Sequence, residues 1–175
     1  FIGGLSMNSL KAQDVRTIGG DATSYSNIYP IGSNYSYGLS QHTYTAAEIN
    51  HAGGKITHIA FKVNVNVTRN VTFYLQHTTV SALSGWESFS DENKVYNNTA
   101  LNTANEDGWL TVELDTPFEY DGTSNILLTA WDNTGSSTYT WSAGCAYIGD
   151  AGRSATAYVQ NSSPVSTSSA ANISN

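Results

Sequence analysis

The stretch RNVTFYLQHTT, residues 69–79, decides the architecture. Val71, Phe73, Leu75 and His77 share one parity, and Thr72, Tyr74 and Gln76 the other. Alternation with period two is the pattern of a half-buried β-strand, whose successive side chains point to opposite faces. His77 keeps the parity of the apolar residues and so points to the core side, at the end where Thr78 and Thr79 open a loop. A histidine in that position more often satisfies a backbone or hydroxyl partner than begins an active site, so binding is sought in the loop it launches.

The same period recurs on both sides. KITHIAFKVNV places Ile59, Phe61 and Val63 on one face, with His58 and Lys62 on the other. GWLTVELDT turns Leu110, Val112 and Leu114 inward and Thr111, Glu113 and Asp115 outward. NILLTAWDN, YTWSAG and RSATAYVQ read as further strands. HAGGK, NEDG, YDGTSN, DNTGSS and GDAGR separate them with Gly beside Asn or Asp, the residues that tolerate positive φ. Helical turns are admitted only at TAAEI and within SALSGWESFSDENK, a long excursion between strands. Short strands and turns at this spacing predict an all-β fold, an antiparallel β-sandwich of jelly-roll-like type. Immunoglobulin topology fits less well, because the chain is longer and has no cysteine pair.

The 175 residues suffice for one domain with a real core. Only 12% are charged and the formal net charge is −7. The seven Lys and Arg are scattered singly, which argues against nucleic acid or an anionic membrane as partner. No run approaches the roughly 20 apolar residues of a membrane span, so no membrane insertion is expected. Cys145 is the single cysteine, which leaves no intrachain disulfide and is read as a small buried hydrophobe.

Three segments emerge. Residues 1–12 read as the remnant of a secretory signal peptide, with cleavage after Ala12; a first strand with a glycine turn is the alternative. Residues 14–160 form the β-sandwich domain. Residues 161–175, NSSPVSTSSAANISN, read as a Ser/Thr/Asn-rich linker or the start of a truncated final strand. These features suggest a fragment of a larger secreted or cell-surface protein.

The constellations that could carry chemistry are few. Glu113, Asp115 and Glu119 in VELDTPFEYDG approximate the paired carboxylates of a sandwich-fold glycosidase, but Pro117 interrupts the ladder between them. His42, His51, His58 and His77 show no paired metal spacing and no nucleophile elbow, and are read as surface or strand-end residues. No catalytic residue is assigned and no enzyme is expected. Asp21, Asp121, Asp132, Asn133 and Asp150 lie in loops, where a structural calcium is the one ion left open. No cofactor is otherwise expected, and the metal content is unassigned. Aromatics make the better case. Eleven tyrosines and four tryptophans exceed what a small core needs. A sugar ring stacks on an aromatic face beside fixed polar groups. Trp86 in the long excursion, with Tyr35 and Tyr37 in SNYSYG, are the candidate ligand-binding residues. Trp109, Trp131 and Trp141 lie in strands and are read as core or half-buried.

YSYGLSQHTYTAAEI, GKITHIAFKV, RNVTFYLQHTT and GWLTVELDTPFEYDGTSNILLTAWDNTGS, in that order, resemble a β-sandwich module of secreted multidomain surface proteins of Bacteroidetes. The resemblance spans most of residues 18–159. It implies a signal peptide before the module, with fibronectin type III domains and a type IX secretion sorting signal downstream. It carries no catalytic residues. The expectation is a non-catalytic extracellular module for adhesion or carbohydrate binding, its partner a glycan or a host or cell-surface protein. A ligand-free stalk is the alternative, and a sandwich-fold glycosidase a third.

Overall fold

The computed structural model describes residues 14–20, 22, 24–26, 28, 30–32, 34–104, 107–137, 144–147, 152–159, 165–169 and 171–174. Ten strands are described: β1 (Ser24–Ser26), β2 (Tyr37–Tyr44), β3 (Gly54–Lys62), β4 (Thr68–Thr78), β5 (Lys94–Asn102), β6 (Trp109–Tyr120), β7 (Asn125–Asp132), β8 (Cys145–Tyr147), β9 (Ser154–Val159) and β10 (Asn172–Ser174). One helical turn, α1 (Ala46–Ile49), follows Thr45, whose hydroxyl and N–H exchange hydrogen bonds with Glu48 in a capping box.

The pairing is nested. β4 pairs with β5, β3 with β6, β2 with β7 and β1 with β8, all antiparallel. A long hairpin folded back on itself gives this order, the wiring of a jelly roll. β4 also pairs with β7, so the larger sheet runs β10-β9-β2-β7-β4-β5. On the second layer an antiparallel bridge between Val63 and Cys145 joins the β3–β6 pair to the β1–β8 pair. The two layers pack as a β-sandwich.

Val71, Phe73 and Leu75 of β4 lie beside Ile126, Leu128 and Ala130 of β7 in the core, with Leu110, Val112 and Leu114 of β6. Phe73 is fully buried between Phe61 and Tyr96, with ring centroids 5.5 and 5.6 Å away. Burial of that one side chain contributes about 1.5–3 kcal/mol. The opposite face of the larger sheet is not open to solvent. Leu39, Leu127, Ala155 and Ala157 there are covered by Leu83 and Trp86 of the excursion after β4 and by Val165. Gln41 pins this cover: its amide donates to the Glu87 carbonyl and accepts the Glu87 N–H, both at 2.8 Å.

Two irregularities shape the ends of the sandwich. Ile56 faces Phe118 while His58 faces Glu113, so β6 bulges over residues 114–117. Pro117, with no N–H to give a ladder, sits in the bulge. Asp115 turns there to accept the N–H of Asn97 at 2.9 Å, tying β6 to β5. At another end Arg69, only 2% exposed, donates through Nε to Asp132 at 2.8 Å. Its other nitrogens donate to the carbonyls of Ser136 and Tyr35 at 2.9 and 2.6 Å, fastening two loops to the sheet.

Candidate functional site

The aromatic candidates fall into two places. Tyr37 and Trp86 are half-buried in one cluster with Leu39, Phe89, Trp131, Ala157 and Val165 on the covered face of the larger sheet. The Trp86 indole N–H donates to the Ser169 carbonyl at 2.8 Å, so this ring holds the cover down. Tyr35 stands apart, packed on Tyr158 with centroids 4.1 Å away, and burial beside Tyr158 raises its hydroxyl pKa. The structure thus joins Trp86 to Tyr37 and leaves Tyr35 in the loop that Arg69 holds. Residues 1–12, Asp21, Tyr29, Trp141 and Asp150 lie outside the described residues.

The carboxylates are dispersed by the bulge. Glu113 and Glu119 face His58 and Lys55, three residues apart on β3 and hence about 10 Å along the strand. Glu119 is engaged by the Lys55 ammonium at 3.0 Å. Asp121 caps its own turn. The Ser124 hydroxyl and the N–H groups of Ser124 and Thr123 donate to it and hold its pKa well below the usual carboxylate range. Asp132 is taken up by Arg69 and Thr134. Among the described residues no three acidic, histidine or cysteine side chains converge as metal ligands would.

The histidines differ more than their surface reading allows. His77 does end its strand: it is exposed, its ring lies 4.8 Å from that of Phe118, and Nε2 accepts the Asp121 N–H at 3.3 Å. His42 is instead buried in the middle of β2, between the hydroxyls of Ser154 at 2.8 Å and Ser40 at 3.0 Å. Burial lowers its pKa from 6.5 to about 4, so it is neutral at pH 7. The Cys145 thiol is buried too, and burial pushes it up to about 12, which leaves it unreactive.

Sequence reading also misplaced Trp109. It is 42% exposed rather than core or half-buried. The signal was present: if Leu110, Val112 and Leu114 point inward, Trp109 shares the outward parity of Thr111 and Glu113. On β3 these three face Lys62, Ala60 and His58, so the outer side of the β3–β6 pair presents an indole followed by hydroxyl, carboxylate and imidazole groups. The row from Trp109 to Glu113 is about 13 Å long. Ala60 and Thr111, both exposed and short, leave the surface beside the indole low enough for a planar ring to approach. Lys62 is steadied by donating to the Ala22 carbonyl at 3.2 Å. This patch suits non-covalent recognition, with an apolar face for C–H groups and polar groups for hydroxyls. No protein-family model, curated protein or solved structure matches the chain, so fold and local chemistry carry the functional reading.

Proposed function

We propose that the chain is a non-catalytic extracellular module that binds glycan, or adheres to a cell surface, within a larger secreted surface protein. The observation that carries this reading is the exposed Trp109 indole on the β3–β6 face, flanked by Thr111, Glu113, His58 and Lys62. A pyranose stacked on that indole buries its apolar face and keeps its hydroxyls beside the polar row. The resemblance to Bacteroidetes surface modules supports the extracellular setting. Retention of the protein on a broad glycan array, lost on Trp109→Ala with the melting temperature unchanged, is the expected result. No retention of the parent protein on any glycan would sink the glycan version, and undiminished retention of the variant would sink this location.

A ligand-free stalk is the second reading. The pinned cover over the larger sheet favours it, since Gln41, Trp86 and Leu83 all hold the excursion rigidly in place. A stalk shows no rise in melting temperature with any sugar or with calcium, whereas a ligand that binds the folded state raises it.

A further inference from the structure

Nearly every cation of the described structure is already answered by an anion. Arg16, Lys55, Arg69, Lys94 and Arg153 each have a carboxylate at ion-pair distance. Among the described residues Lys62 is the one Lys or Arg without such a partner, and its ammonium donates only to the Ala22 carbonyl, at 3.2 Å. Lys62 also faces the exposed Trp109 directly across the β3–β6 ladder. Resting on the glycan reading above, we infer that this face selects an acidic sugar: a uronic acid whose ring stacks on Trp109 and whose carboxylate pairs with Lys62.

The register puts the two groups on one side. Phe61 and Leu110, the next rung, turn into the core, so Lys62 and Trp109 emerge together on the outer face. Side chains directly opposite on one face start with Cβ atoms about 5 Å apart. An ammonium has three N–H groups, and the Ala22 contact uses one, leaving two for a guest. That contact is with a carbonyl, which positions the ammonium without neutralising its charge. A uronic acid carries its carboxylate one bond from the ring, so a ring lying on the indole brings the anion beside Lys62. A neutral sugar gains the same stacking but leaves the ammonium with hydroxyls, and hydrogen bonds between charged groups are about twice as strong. The acidic residues nearest in sequence stand outside the pair. Asp107 lies in the turn beyond this last rung, and Glu113 faces His58 at the far end of the row, about 13 Å away. The net charge of −7 opposes an extended polyanion at long range, which favours a single acidic residue in a neutral glycan.

The test measures binding of the whole chain to neutral oligosaccharides that carry one glucuronate, galacturonate or mannuronate residue, each beside its methyl ester. The ester keeps the ring and removes the charge. At least one acid should bind about tenfold more tightly than its ester. Lys62→Gln, which keeps a donor for Ala22, should lower the acid to the level of the ester and leave the ester unchanged. Lys62→Arg should preserve the preference, and Trp109→Ala should lose both ligands. Equal binding of acid and ester, or a preference that survives Lys62→Gln, would overturn the acidic-sugar assignment and leave the glycan face standing. No binding of any acid, ester or neutral glycan would overturn the glycan reading itself and this inference with it.

Discussion

His42 makes the fold acid-sensitive between its ordinary pKa of 6.5 and its folded value of about 4. The folded protein holds the imidazole neutral with a pKa of about 4, against 6.5 for the ordinary group. Between those two values the unfolded chain binds a proton that the folded chain refuses, so stability falls as pH falls. The full difference corresponds to about 3 kcal/mol, with about 2 kcal/mol already lost at pH 5 relative to pH 7.5. Domains of this size have a margin of about 5–15 kcal/mol, so the loss is readily measured. Urea denaturation of the protein and of His42→Gln at half-unit steps from pH 7.5 to 4 is the assay. Gln can both donate and accept, so it can keep contacts with Ser40 and Ser154 while removing the titration. The variant is expected to start lower at pH 7.5, with the gap to the parent closing by about 2 kcal/mol at pH 5. Parallel curves across the range would refute the account, because every other titrating group is common to both proteins.

Two further outcomes follow from particular contacts. Arg69→Met leaves the buried Asp132 carboxylate without its partner, and the carbonyls of Tyr35 and Ser136 without donors, so a loss of about 3–5 kcal/mol in urea denaturation is expected. The double variant Arg69→Met with Asp132→Leu should recover much of that loss, since the stranded charge is gone. Gly122 has φ +79°, and a Cβ there would lie 2.4 Å from the Ala52 carbonyl, so Gly122→Ala should cost more than about 3 kcal/mol. Gly85 has open space around it, and Gly85→Ala should stay within about 1 kcal/mol of the parent in the same urea denaturation.

The strands with a clear period-two apolar face were legible in the sequence. Val71, Phe73 and Leu75, and Leu110, Val112 and Leu114, point as their alternation requires, and TAAEI is the helical turn. The helical turn admitted within SALSGWESFSDENK is a single 3₁₀ turn, Asp91–Asn93. β2 was not legible. YGLSQHTY lies between β7 and β9 with Ser40, Gln41, His42 and Thr43 all buried, because the cover hides its second face and the polar groups satisfy one another. A strand buried on both sides shows no alternation, and a polar one does not read as core either. The Ser/Thr/Asn-rich tail was ambiguous, since its composition admits a linker as well as the start of a strand. Val165 is buried against the cover, Ser169 accepts from Trp86 and β10 pairs with β9. The candidate face was half visible: parity placed Trp109 outward, but a tryptophan in a strand was weighed by its type and not by its parity.

The nested pairing also determines how the molecule meets a mechanical load. β1–β8 and β9–β10 hold only three residue pairs each and lie outermost in the wiring. A pull on the chain from both sides therefore reaches these short pairs first and can open them one rung at a time. The longer β2–β7, β3–β6 and β4–β5 pairs are shielded until the outer ones are spent. Trp109 lies on the second of these pairs, β3–β6. A chain wired this way can give length under load while its longest strand pairs stay folded.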